Sequence, residues 1–239
     1  MAFSKDFIWC AGGAAAQQDG GYLDGGKGLN IWDALSDGHV RNNENCHVAC
    51  DHFHRWKDDL QLLKKIGVNT YRFSISLARL YPADEYTINE EGLKFYKDLV
   101  AELEFLGITP MCTLYHWDMP LWLHHKGGWK NSLAVEWFER FTKTVVDAIS
   151  DNVQYWITFN EPQCFIAMGY GTGEHAPFEK VGDGELKHIS RNVMLAHGKA
   201  VKTIRKYAKL QPKISYAPTA GLTIPTQNKS EKEAYERTF

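Results

Sequence analysis

Apolar residues recur along much of this chain every three or four positions, the spacing that places them on one face of an α-helix. Segment 51–67, DHFHRWKDDLQLLKKIG, predicts a helix that Asp51 caps and a glycine ends. Segment 89–107 repeats this pattern, and a third helix is predicted to follow Ser132 as its cap. A longer helical pattern runs from about residue 185 to 208.

Short apolar runs separate these helices and predict strands, with a further helical start at 230–239. The predicted strands are 7–18, 68–76, 108–118, 153–160 and 213–218. Steady alternation of strand and helix indicates a parallel sheet with right-handed crossovers, and the nearly continuous apolar runs indicate helices on both faces. A (β/α) barrel and an open doubly wound sheet both fit this pattern.

The spacing of the predicted strands limits how much of a barrel this chain can form. Successive strands end near Ser76, His116, Asn160 and Ala217, about 40 to 57 residues apart. Eight such units need roughly 380 residues, whereas the chain has 239. We therefore expect about the first five βα units of an incomplete barrel, with 1–239 forming the N-terminal portion of one domain.

Composition excludes several classes of partner. The net charge is −2, from 27 basic and 29 acidic residues, so no basic field attracts nucleic acid or a membrane surface. Five Cys at irregular spacing favour a reducing compartment over a disulfide framework. Neither a signal peptide nor a membrane-spanning run is evident, which predicts a soluble cytoplasmic protein. No G-x-G-x-x-G follows the first strand, which argues against a dinucleotide cofactor.

Polar residues collect where predicted strands end, which is where both architectures place their functional groups. Glu161 follows a strand and suits general acid catalysis in an apolar pocket, although Pro162 also fits a simple surface turn. His116 and Trp117 suit the binding of a polyol by hydrogen bonding and stacking, or else a buried core histidine. Arg72 is costly to bury alone, so its position predicts an acid nearby.

Two further segments carry weaker signals. Gln17 follows a run of small residues and suits hydroxyl binding, though it also fits an ordinary amide at a strand end. Segment 44–54, ENCHVACDHFH, is rich in Cys and His, but its C-x-x-x-C spacing without a second paired cluster is poor support for zinc. We expect no metal here.

Taken together, the chain resembles the N-terminal half of glycoside hydrolase family 1, the β-glucosidase and 6-phospho-β-glucosidase family. The resemblance covers almost the whole chain and rests on linked segments in the family's order. They are FIWCAGGAAAQQDGG, NIWDAL, ACDHFHRWKDDLQLLKKIGVNTYRFSIS, TLYHWDMP, GGWKNSLAVEWFERF, YWITFNEP, GYGTGEHAP and LAHGKAV.

The resemblance implies a retaining β-glycosidase on a (β/α)8 barrel of the TIM type, with no cofactor and a β-glycoside or sugar as ligand. It assigns Glu161 as the general acid/base and Asn160 as the amide that holds the sugar 2-hydroxyl. It assigns Gln17 and His116 to glycone binding, with Trp117 beside them. Arg72 is the residue expected to pair with the nucleophilic carboxylate.

The chain also departs from the family pattern. The family's nucleophile lies in a T-E-N-G or similar segment on a late strand, and no E-N-G occurs here. Leu77 and Gln163 stand where the family usually has Trp, and Asp19 stands where Glu is usual. Two hypotheses follow. In the first, a missing or separate C-terminal half-barrel supplies the nucleophile. In the second, an inactive half-barrel self-associates or binds carbohydrate.

Overall fold

The computed structural model describes residues 3–219, which form one parallel sheet flanked by helices. The strands are β1 (Cys10–Gly12), β2 (Thr70–Ser74), β3 (Thr109–Tyr115), β4 (Tyr155–Asn160) and β5 (Lys213–Ala217). The helices are α1 (Ala15–Gln18), α2 (Ile31–Leu35), α3 (His52–Ile66), α4 (Leu77–Leu80), α5 (Glu90–Phe105), α6 (Leu121–His125), α7 (Ala134–Ile149), α8 (Pro162–Ile166) and α9 (Asp183–Tyr207).

Strand order separates the two architectures that the sequence leaves open. The described strands lie side by side in chain order, and each pairs in parallel with the next. A doubly wound sheet reverses its strand order at a switch point, and none occurs within residues 3–219. The order is that of a barrel built one unit at a time.

The core lies between the sheet and its outer helices. Phe159 of β4 packs on Phe138 of α7 with ring centroids 4.6 Å apart, and Trp129 and Tyr115 surround the same ring. Apolar residues of α7 recur every three or four positions, and α9 packs against that helix. Burial of these faces is the main source of stability and holds the strands in register.

Three local predictions are wrong. Asp51 precedes α3 but has a left-handed backbone (φ 57°) and makes no capping bond, because its carboxylate contacts His54 Nδ1 at 2.6 Å. Ser132 does not cap α7; Asn131 Oδ1 accepts from Leu133 N at 2.9 Å instead. The first predicted strand is short, and its second half turns into α1.

The two outer strands differ from the central ones. β1 and β5 each pair with one neighbour within residues 3–219, and β5 has no fully buried residue. Tyr216 of β5 remains 46% exposed. Within residues 3–219, no helix combines the length and the apolar composition that crossing a lipid bilayer requires. The predicted helical start at 230–239 lies outside the described residues.

Candidate active site

One guanidinium joins the three central strands. Arg72 of β2 donates from Nε to Thr113 Oγ1 of β3 at 2.9 Å and from Nη2 to Asn160 Oδ1 of β4 at 2.6 Å. Burial lowers the pKa of Arg72, while the negative charge of Glu161 opposes this change. The hydrogen bonds described for Arg72 go to neutral groups, and the pairing of Arg72 with a carboxylate stays a prediction.

Glu161 lies immediately after β4 in a strained backbone conformation. Its φ of 43° and ψ of 58° are left-handed, a conformation that costs a non-glycine residue about 1–3 kcal/mol. The peptide N–H of Glu161 donates to Ala217 O of β5 at 2.7 Å, and its carbonyl accepts from Cys164 N at 2.9 Å. Pro162 then starts α8 at the first helical position, where its missing N–H costs nothing. The side chain is half-buried rather than fully solvated.

Trp117 connects the end of β3 to the end of β4. Its indole Nε1 donates to Asn160 O at 2.9 Å, and its own carbonyl accepts from Trp32 Nε1 at 3.2 Å. Its backbone is left-handed, with φ of 75°, so these bonds hold a conformation that the residue rarely adopts alone. The structure thus brings Arg72, Trp117 and Asn160 into one hydrogen-bonded set, and Glu161 follows Asn160 directly in the chain.

His116 is held as a neutral imidazole. Burial lowers its pKa to about 4, and the positive charge of Arg72 acts in the same direction. Its Nδ1 is buried and makes no hydrogen bond to residues 3–219. A neutral ring can donate from one nitrogen and accept at the other, which suits a hydroxyl ligand.

Gln17 lies apart from these contacts. It belongs to α1, not to a strand end, and its side chain is exposed. The segment just before α1 is joined to Arg72 through the backbone, since Gly13 N donates to Arg72 O at 2.9 Å. The adjacent Gln18 donates from Nε2 to Tyr71 Oη at 2.7 Å.

The Cys- and His-rich segment is used for packing and hydrogen bonding. His47 stacks on Tyr22 with centroids 3.8 Å apart, and His52 Nδ1 contacts Asp59 Oδ2 at 2.7 Å. Cys46 and Cys50 are exposed and form no disulfide. Among the described residues, no three His, Cys, Asp or Glu side chains converge in a way that could hold a metal ion.

Sequence reasoning missed three residues that complete this arrangement. Thr113 receives Arg72, Trp32 holds the Trp117 carbonyl, and the His175 ring lies 5.4 Å from that of Trp117. Trp32 and His175 belong to the segments NIWDAL and GYGTGEHAP, which carry the family resemblance but suggested no role by themselves. Thr113 has no sequence signal, because its role depends on strand register.

Comparison with known proteins identifies the family. The sequence profile of Glycosyl hydrolase family 1 matches residues 1–239. This chain belongs to glycosyl hydrolase family 1. The family 1 chain is 40% identical to β-glucosidase A of Acetivibrio thermocellus over 242 residues, covering 100% of this chain and 54% of that protein. It is 37% identical to β-glucosidase A of Thermotoga maritima, covering 96% of this chain and 51% of that protein.

Solved family 1 structures agree over nearly the whole chain. The Thermotoga maritima β-glucosidase in complex with deoxynojirimycin superposes with a TM-score of 0.93 at 37% identity, covering 99% of this chain and 53% of that structure. The expected fold, an incomplete (β/α)8 barrel, is therefore confirmed. The chain spans about half the length of the curated relatives that it matches.

Proposed function

We propose that this chain is the acid-donating half of a retaining β-glycosidase that hydrolyses O-glycosidic bonds of β-glucoside-like substrates. Glu161 is the general acid/base, and a C-terminal half-barrel, missing here or supplied separately, contributes the nucleophile. The observation that carries the proposal is the Arg72–Asn160 hydrogen bond of 2.6 Å beside Glu161. Relatives named β-glucosidases support the substrate class.

The residues divide the chemistry as follows. Glu161 protonates the glycosidic oxygen while the second carboxylate attacks the anomeric carbon, which forms a glycosyl-enzyme and releases the alcohol. Glu161, now ionised, takes a proton from water as that water cleaves the glycosyl-enzyme bond and regenerates both carboxyl groups. The two carboxyl groups must lie about 5–5.5 Å apart for this to work.

The remaining residues hold the sugar and the nucleophile. Asn160 Nδ2 stays available for the sugar 2-hydroxyl, because Asn160 Oδ1 accepts from Arg72. His116 and Gln17 bind glycone hydroxyls, with Trp117 beside them as an apolar surface. Arg72 extends its remaining N–H groups toward the second carboxylate, and this interaction lowers the energy of the ionised nucleophile.

A second candidate function is an inactive half-barrel that self-associates or binds carbohydrate. Its support is the pair of outer strands, since β1 and β5 leave backbone groups unpaired within residues 3–219. Such edges recruit other strands. We expect light scattering to find the isolated chain associated, and a sharp monomer peak at high concentration would remove this support.

An aryl β-glucoside assay distinguishes the two functions. The chain is assayed alone and after mixing with the C-terminal half of a family 1 β-glucosidase. The first function predicts turnover in the mixture that Glu161→Gln abolishes and that Glu185→Gln, at an exposed carboxylate of α9, leaves unchanged. Turnover that survives Glu161→Gln contradicts the assignment of the acid.

A further inference from the structure

Five large apolar side chains are exposed beside β1 and form a surface that we call the β1 flank. They are Phe3, Phe7, Trp9, Leu62 and Ile66, which are 37% to 69% exposed. The three aromatic rings pack on one another, with centroids 4.3 to 4.9 Å apart. Large apolar side chains that are exposed together, rather than singly, are typical of an interaction surface.

Hydrogen bonds join the two segments of this flank. Asn69, three residues beyond the end of α3, donates from Nδ2 to Phe7 O at 2.8 Å, and its Oδ1 accepts from Trp9 N at 2.9 Å. The backbone N–H of Asn69 also donates to Trp9 O at 3.0 Å. The exposed rings before β1 therefore lie next to the end of α3, where the exposed Ile66 is the last helical residue.

The orientation of α3 shows which way its exposed side chains face. Leu60 is fully buried, so its side of the helix faces the core. Lys64 is on the side of α5, since its Nζ donates to Leu106 O, just after that helix, at 2.7 Å. With about 100° between successive residues, Leu62 and Ile66 lie on the side of α3 turned away from α5. The β1 flank thus faces outward from the unpaired edge of the sheet.

The build of the sheet indicates what belongs at this edge. The strands lie parallel in chain order, and α3, α5, α7 and α9 pack side by side in the same order. In a closed eight-stranded barrel, the position beyond β1 is taken by the last strand and its outer helix. A second copy of this chain does not fit, because two copies bring ten described strands to a barrel that closes with eight.

We propose that the β1 flank is the docking surface for a complementary C-terminal half-barrel. The last strand of that half pairs with the open edge of β1, and the helix after it lays an apolar face on the exposed rings and on Leu62 and Ile66. The solved family 1 structure that superposes on this chain is about twice as long, which leaves the length for such a half. The inference rests on the half-barrel of the proposed function and not on its chemistry.

Co-expression tests the docking surface. The chain is produced together with the part of Thermotoga maritima β-glucosidase that extends beyond its match to this chain, and light scattering measures the mass of the purified assembly. We expect a one-to-one complex. Phe3→Ser with Ile66→Ser should raise its dissociation constant by about 10- to 100-fold, because two apolar side chains lose their burial.

A matched pair of substitutions is the control. Phe105→Ser with Leu133→Ser removes an exposed aromatic and an exposed aliphatic side chain from α5 and from the residue before α7, and should leave the dissociation constant unchanged. Failure of the unsubstituted chain to form a complex would overturn the proposal. Equal weakening by both pairs would overturn it as well.

Hydroxyl-radical footprinting identifies the covered surface. In the complex, the three aromatic side chains of the β1 flank should be oxidised several-fold less than in the chain alone, whereas Phe105 should stay as reactive. A complex that leaves the flank reactive would reject this docking surface without touching the proposed function. Protection of the flank in a complex that hydrolyses no aryl β-glucoside would support the docking surface and contradict the glycosidase. Protection in the chain alone, without uptake of the other half, would make a second copy the occupant and overturn the assignment.

Discussion

The centre of the sheet and its two edges contrast sharply. Strands β2, β3 and β4 are paired on both sides, and their ends carry Arg72, Trp117 and Asn160 in one hydrogen-bonded set. β1 and β5 are paired on one side within residues 3–219, and the segment after β1 reaches the set through the backbone of Gly13 and the indole of Trp32. The contacts at the ends of the central strands are thus formed within residues 3–219, whereas each outer strand has one unpaired side there.

The largest expected effect tests whether stability resides in the centre. Phe159→Ala removes a ring that is 0% exposed and should lower the free energy of unfolding by about 3–5 kcal/mol. Tyr216→Ala at the edge should cost about 1 kcal/mol or less, because that side chain is half exposed. Urea unfolding of both variants measures the difference, and equal losses would erase the contrast.

A second effect tests the border next to β1. Burial raises the pKa of Asp19 to about 6, above its ordinary value, so the folded state binds the proton more tightly. The proton on Asp19 therefore adds to the free energy of unfolding. This contribution, on the order of 3 kcal/mol, is present in full below about pH 4 and is lost as pH rises through 6. Unfolding at a series of pH values should lose this slope in Asp19→Asn but keep it in Asp151→Asn, an exposed control. A slope that persists in Asp19→Asn contradicts the expectation.

A third effect tests the link between central strands. Arg72→Met removes both hydrogen bonds of the guanidinium and should lower the free energy of unfolding by about 2 kcal/mol, since relief of burial offsets part of the loss. Arg140→Met removes an exposed hydrogen bond to Glu85 O and a contact with the exposed Tyr86 ring, and should change the free energy of unfolding by less than about 0.5 kcal/mol. Thermal and urea unfolding compare the pair, and similar losses would mean that Arg72 does not join the strands.

The smallest effect on stability tests the β5 edge. Tyr216→Lys places a charge on an exposed strand and should change the free energy of unfolding by less than about 0.5 kcal/mol. It should nevertheless reduce any association of the chain, because edge lysines oppose strand pairing. Light scattering over a range of concentrations measures this, and unchanged association would place the contact elsewhere.

The sequence predicts regular elements well because their apolar spacing is local. The long helix expected from about 185 to 208 is α9, Asp183–Tyr207, and strand β4 ends at Asn160 as expected. Helix starts were predicted less well. Ser132 and Asp51 have suitable side chains for caps, but Ser132 contacts His188 of α9, and Asp51 contacts His54 only three residues along the chain.

The candidate site is only partly readable from the sequence. Glu161, Asn160 and His116 follow apolar runs, so their positions at strand ends can be predicted. The left-handed backbones of Trp117 and Glu161 cannot be predicted in this way, because neither residue is a glycine. Long-range hydrogen bonds hold these conformations, and such bonds leave no local signal in the sequence.

The hydrogen bond from Glu161 N to Ala217 O has a consequence for dividing this protein. A shorter piece that stopped after α9 would keep every side chain of the central set yet lose the carbonyl that accepts from the Glu161 peptide N–H. Its strained main chain would then relax toward an ordinary geometry, and the carboxyl would swing with it. Ala217 therefore marks the earliest point at which a gene could be cut without loosening the acid.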